Sequence, residues 1–266
     1  MFPHHEASIR KMEEHFRTQP DVIALILGGS VARGTARPTS DIDAMAILDG
    51  DSIEDRPHPR PRSESIQGLC TYPEGYFDIK YYTKGFLESA ADHGSEPARN
   101  AFVGARVLYA SDPDVERLVR RIPVYPEDLR REKIHSFLGG LVLNAFYFWE
   151  EAEREGDPYL MARSSSDIAL YGLRLLLAHN RILFPSHKRL LAAVDSAPKR
   201  PEGIVEACRT MLREPTREHR DAFVLPILGF TDWGFDLRTD FGLALTRFID
   251  DNELWWHLGR PNVAEW

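Results

Sequence analysis

Residues 25–48 read LILGGSVARGTARPTSDIDAMAIL, and this stretch decides the fold. The apolar run from Val22 to Leu27 predicts a strand, Gly28, Gly29 and Ser30 form the turn after it, and Asp41 to Leu48 predicts a second strand. Successive strand side chains point to opposite faces. Asp41 and Asp43 therefore share one face, while Ile42 turns the other way into a core. A glycine pair lets backbone N–H groups approach a phosphate closely, and Ser30 adds a hydroxyl. Two neighbouring carboxylates are costly until a cation neutralises them. Hard oxygen ligands at this spacing suit Mg²⁺ carrying a nucleotide phosphate. The residues alone point to a metal-dependent phosphate site; the competing reading is a solvated hairpin with two surface aspartates.

Working outward, residues 5–18 predict an amphipathic helix with Ile9, Met12 and Phe16 on its apolar face. Residues 49–63 are polar and proline-rich and read as a loop. Two further strands are expected over 64–72 and 76–83, separated by the turn signal Pro73-Glu74-Gly75. In the second of them, YFDIKYYT, the side chains of Tyr76, Asp78, Lys80 and Tyr82 share a face. A helix over 84–93, a strand over 102–110 and a helix over 112–121 complete this half. Pro123 and Pro126 then break the pattern, which sets domains of 1–125 and 126–266. Beyond the break the strand signals fade. Long helices are expected over 128–155 and 159–183, stopped between them by Gly156-Asp157-Pro158, with shorter ones over 187–196, 202–213, 217–225 and 239–258. The fold class is α+β, a mixed sheet with flanking helices followed by an α-helical bundle.

The chain has 266 residues, 43% of them hydrophobic and 28% charged, enough for ordinary buried cores. Its formal net charge of −8 argues against a long nucleic acid as the main partner and is compatible with a cationic small substrate. Cys70 and Cys208 belong to no metal or redox motif and read as reduced structural thiols. The N-terminus, MFPHHEASIRKMEEHF, lacks the apolar core of a signal peptide. No apolar run of about 18 residues marks a membrane span. The expectation is a cytoplasmic protein with no membrane partner and an oligomeric state the sequence leaves open.

Gly29-Ser30, ten intervening residues, then Asp41-Ile42-Asp43 resembles the signature of the DNA polymerase β-type nucleotidyltransferase superfamily. The stretch LNAFYFWEEAEREGDPYLMARSSSDIALYGLRLLLAHNRILFPSHKRL resembles the helical domain of kanamycin- and streptomycin-type aminoglycoside nucleotidyltransferases. The resemblance implies transfer of a nucleoside monophosphate, AMP from ATP, to a hydroxyl of a small polar acceptor, an aminoglycoside-like antibiotic first among them. It implies two Mg²⁺ ions on Asp41 and Asp43, with Asp78 as the third acid, on the ion near the acceptor. Gly28, Gly29 and Ser30 would meet the phosphates, with Arg33 and Ser40 as flanking contacts and Lys188 reaching the triphosphate tail from the helical half. Arg33 and Ser40 read equally well as a solvated side chain and a capping hydroxyl. Glu150 or Glu151 would serve as general base or acceptor contact, against the plainer reading of a solvated helix end; Asp78 could itself take the proton. The rival functional readings are a protein or RNA acceptor, and a non-catalytic antitoxin-like module that binds nucleotide or a partner. Arg174 and His179 stand five residues apart, a spacing that resembles the arginine–histidine motif of helical HEPN ribonucleases. His179 also lies near the apolar stripe of Leu175 and Ile182, which favours a core histidine.

Overall fold

Apolar runs too short for helices build the centre of the N-terminal half. The computed structural model describes residues 1–50, 60–234, 241–261 and 263–264, so most of the loop read over 49–63 and the start of the helix read over 239–258 lie outside the described residues. Two compact units result, Met1–Val124 and Tyr125–Trp266. The first runs α1 (Pro3–Arg17), β1 (Val22–Leu27), the single turn α2 (Gly29–Ala32), β2 (Ile42–Leu48), β3 (Ser63–Gln67), β4 (Tyr76–Thr83), α3 (Lys84–His93), α4 (Glu96–Ala101), β5 (Arg106–Ala110) and α5 (Asp114–Arg121). Among the described residues, five strands lie in the order β3-β4-β2-β1-β5. β2 and β4 are parallel; every other neighbouring pair is antiparallel. Parallel neighbours need a long connection, and here that connection contains β3.

Both faces of this sheet are covered. Ile9, Met12 and Phe16 of α1 pack on Leu25, Leu27, Ile42, Ala44, Phe77 and Ile79. On the opposite face Ile26, Met45 and Ile47 meet Leu87 of α3 and Leu118 and Val119 of α5. Alternation therefore places Asp43 on the face of Met45 and Ile47. Thr83 ends β4 and starts α3 in one step, its hydroxyl accepting the Phe86 N–H at 3.3 Å. The strand read over 64–72 is shorter than expected, and α4, capped by Ser95, adds a helix that the sequence pattern does not predict.

The second unit holds α6 (Arg130–Leu143), a π-helical turn (Asn144–Phe148), α7 (Trp149–Glu155), α8 (Pro158–Asn180), α9 (Leu190–Asp195), α10 (Ile204–Arg213), α11 (Arg217–Leu228), α12 (Phe241–Asn252) and α13 (Trp255–Leu258). The single helix read over 128–155 is thus interrupted by a π turn, where the Asn144 amide donates to the Gly140 carbonyl at 2.8 Å. Gly140 is forced by packing, since a Cβ there would lie 2.5 Å from the Tyr171 ring. Asp157 caps α8 by accepting the Tyr159 and Leu160 N–H groups. Ile168, Leu175 and Leu176 of α8 are fully buried at the centre of the helical core. α8 ends at Asn180, earlier than expected, because Arg181 takes a left-handed conformation with φ of 56°. No described helix is long and apolar enough to cross a membrane.

Candidate active site

The parallel pairing of β2 with β4 sets Asp43 in register with Asp78. Strands so paired lie about 4.8 Å apart, so side chains in register on one face are neighbours. Continuing that register two residues back brings Asp41 opposite Tyr76, whose hydroxyl donates to Asp41 Oδ2 at 2.9 Å. Ser63 on β3 donates from Oγ to Asp78 Oδ1 at 3.3 Å. Asp41, Asp43 and Asp78 are all partly exposed. Burial holds the Asp43 carboxyl above its ordinary range, and the negative charges of Asp41 and Asp78 push it further up. Lys80 and the backbone N–H of Ser30 act in the opposite direction. The hydrogen bond to Asp41, reinforced by the neighbouring acids, raises the Tyr76 phenol as well.

The glycine turn presses directly on these acids. The Gly28 N–H donates to the Asp43 carbonyl at 2.9 Å. Gly29 has φ of 62°, and a Cβ on it would lie 1.7 Å from Asp43 Oδ2. Any side chain there would occupy the carboxylate's own place, so the approach of turn to acid requires glycine.

Ion pairs in this unit lie elsewhere: Arg60 with Asp21, Lys84 with Asp112 and Asp114, Arg121 with Asp92. Among the described residues no lysine or arginine is paired to Asp41, Asp43 or Asp78. As the side chains stand, no group of three or more His, Cys, Asp or Glu among the described residues is set at metal-holding spacing. Tyr76 and Ser63 hold the outer acids by hydrogen bonds instead. The donor set still fits a hard divalent cation: carboxylate oxygens from adjacent strands, mutually repelling and in no ion pair among the described residues.

The other residues singled out in the sequence each have a setting within their own unit. Arg33 donates from Nε to the Val103 carbonyl at 3.1 Å and from its terminal nitrogen to the Asn100 backbone and side chain, so it braces the loop after α4. Ser40 accepts the Arg37 N–H at 2.9 Å, and its carbonyl accepts from the Tyr72 hydroxyl at 2.6 Å, which fixes the loop entering Asp41. Glu150 accepts from Arg220 and Arg217, and Glu151 from Arg154. The hydrogen bond from Arg220 holds the Glu150 carboxyl below its ordinary range. Lys188 is exposed on the 3₁₀ turn His187–Arg189 of the second unit. Arg174 is buried, its guanidinium 4.3 Å from the Phe137 ring centre and 4.4 Å from that of Phe184, donating to the Val263 and Ala264 carbonyls. It holds the backbone at Val263 and Ala264, and His179 packs edge-on against Phe230 and Trp233. Two residues of the site carried no role in the sequence reading, Tyr76 and Ser63. For Tyr76 the signal was present, since YFDIKYYT already put it on the face of Asp78.

The model of the nucleotidyltransferase domain family matches residues 9–88, a span that holds the glycine turn and all three acids. That match supports a nucleotidyltransferase enzyme, with transfer of a nucleoside monophosphate as its general reaction. No curated protein matches the chain. Among solved structures, the nucleotidyltransferase-like protein from Exiguobacterium sibiricum 255-15 is similar, with 12% identity, coverage of 92% of this chain and 78% of that one, and a TM-score of 0.49. The likeness is remote and bears on neither substrate nor mechanism.

Proposed function

We propose that the protein transfers AMP from ATP to a hydroxyl of a small polar acceptor, with Asp41, Asp43 and Asp78 as the acids that hold divalent metal. The supporting observation is the meeting of these carboxylates on one sheet face, where burial and then the charges of Asp41 and Asp78 raise the Asp43 pKa and no cation is paired to them among the described residues. Two Mg²⁺ ions would supply the positive charge that the triphosphate and the departing pyrophosphate need. The chain's own residues do the positioning. Gly29 lets the turn close directly on Asp43, and Ser30 offers a hydroxyl at the same turn. Tyr76 occupies one oxygen of Asp41 and leaves the other open. Asp78 is assigned the acceptor's proton, because Glu150 and Glu151 are already bound by arginines and the Glu150 carboxyl, held low, is a weak base. An aminoglycoside-like acceptor is the leading choice, supported by the resemblance of the helical half and by the net charge of −8.

The test is incubation of the purified protein with labelled ATP, Mg²⁺ and a panel of hydroxyl compounds, read by mass. A gain of one adenylyl group on an acceptor, with release of pyrophosphate, is the expected result. A protein that binds no Mn²⁺ and releases no pyrophosphate with any acceptor overturns the reading.

A further inference from the structure

Within the helical unit, Arg130, Arg131, Ile134, His179, Asp232 and Trp233 line a cavity of about 390 Å³. Its two arginines differ from most others in that unit. Arg154, Arg163, Arg181, Arg217, Arg220 and Arg247 are all in ion pairs with carboxylates. Arg130 and Arg131 have no ion-pair partner among the described residues; Arg130 is pinned only through Nε, which donates to the Ala178 carbonyl at 2.8 Å. That bond fixes the guanidinium and leaves its terminal nitrogens for another acceptor. Asp232 shares the lining, but its Oδ1 accepts the Gly234 N–H at 2.8 Å and shapes the turn.

The surroundings are positive and rigid. His179 is held below the ordinary imidazole range, first by burial and then by Arg130, Lys199 and Arg181. Its ring stands edge-on to Phe230 and Trp233, with centroids 5.3 and 5.9 Å away. Trp233 is itself anchored, Nε1 donating to the Ile227 carbonyl at 3.0 Å. Two arginines in no ion pair among the described residues, lining a cavity with Ile134 and Trp233 beside the single carboxylate of Asp232, form an oxyanion site in a chain whose net charge is −8.

We infer that this cavity binds a small phosphate monoester, with Arg130 and Arg131 on the phosphate oxygens, a His179 nitrogen beside them, and Ile134 and Trp233 against the ligand's body. One carboxylate against two guanidiniums suits a single phosphate better than a triphosphate. The site goes beyond nucleotidyl transfer, since every residue in it belongs to the second unit and none is an acid of the first.

The test is calorimetric titration with inorganic phosphate and with phenyl phosphate, in EDTA so that no metal can draw phosphate to the aspartates. The wild-type protein should bind phenyl phosphate at one site and more tightly than inorganic phosphate, because of the apolar wall. Arg131→Gln removes an exposed side chain and should weaken binding about tenfold or more with an unchanged melting temperature. Asp43→Asn should bind phenyl phosphate as the wild type does, whatever the fate of its transferase activity. Absence of binding at millimolar ligand overturns the inference. So does equal affinity in Arg131→Gln, and so does loss of binding in Asp43→Asn.

Discussion

On the sheet, Asp41, Asp43 and Asp78 face one another across β2 and β4 with no arginine or lysine paired to them among the described residues. At the end of the first long helix, Glu150, Glu151 and Glu153 are each held by an arginine, Arg220 and Arg217 for Glu150, Arg154 for Glu151, Arg217 for Glu153. In the sequence the glutamates form a charge run at a helix end, whereas Asp41 and Asp43 alternate on one strand and Asp78 lies 35 residues further on. Their electrostatics are opposite: Asp43 is pushed up by burial and then by its acidic neighbours, and Glu150 is pulled down chiefly by Arg220. An acid cluster left uncompensated by its fold is held together against repulsion, and a cation that enters relieves that cost. A compensated cluster has little to gain from a ligand.

The sharpest way to break this contrast is Asp43→Asn. Turnover should be abolished, because the amide keeps the shape and loses the charge that a divalent ion requires. Stability without metal should move the other way. Asp43 has its folded pKa raised above the unfolded value, so its favourable contribution is complete below the ordinary carboxylate range and is lost as pH rises through the raised pKa. In EDTA at neutral pH the variant should therefore melt higher than the parent, and the gap should close as pH falls toward the carboxylate range. Melting curves at several pH values, with and without Mg²⁺, check both signs.

Gly29→Ala attacks the same contact from the turn. The left-handed backbone alone costs about 1–2 kcal/mol for a residue with a Cβ, and the new methyl would stand where Asp43 Oδ2 is now. A total loss of about 3 kcal/mol by urea unfolding is expected, together with loss of Mn²⁺ binding. Tyr76→Phe is milder. It frees Asp41 Oδ2 without disturbing the strand, and partners of metal ligands typically govern affinity by about 10-fold or more. Calorimetric titration of Mn²⁺ into metal-free protein should show that weakening with an unchanged melting temperature. Tighter binding in Tyr76→Phe would mean the hydroxyl competes with the ion rather than orienting its ligand.

What the sequence could and could not tell follows from where the information lies. Val22–Leu27 and Tyr76–Thr83 are bounded by local signals, and the strands begin and end where those signals put them. That β4 returns beside β2 in parallel, past the inserted β3, is a non-local fact, and so is the hydrogen bond from Tyr76 to Asp41 across 35 residues. Arg33 lies three residues past Ser30 in sequence, yet it binds Asn100 and Val103; nothing near it in the chain announces that partner. The π turn at Asn144–Phe148 sits in a run whose apolar spacing reads as an uninterrupted helix, since one wide turn barely disturbs that spacing.

Glu150→Gln should produce the smallest effect, and it tests the helical side of the contrast. Glutamine keeps an acceptor oxygen and nearly the same shape. Arg220 retains the Ala145 carbonyl at 3.0 Å and Asp221 at 2.8 Å, and Arg217 retains Glu153. The Glu150 side chain is 37% exposed, so solvent screens most of the pair's attraction. Its folded pKa lies below the unfolded value, chiefly through Arg220. The pair's contribution is therefore present above the ordinary carboxylate range and lost as pH falls through the lowered pKa. At neutral pH the variant should lose less than about 1 kcal/mol by urea unfolding, that small loss should disappear in acid, and kcat should be unchanged. A tenfold fall in kcat with the melting temperature intact would make Glu150 the base that activates the acceptor. An acid already paired with arginines would then be doing proton chemistry, and charge compensation would no longer separate the two clusters.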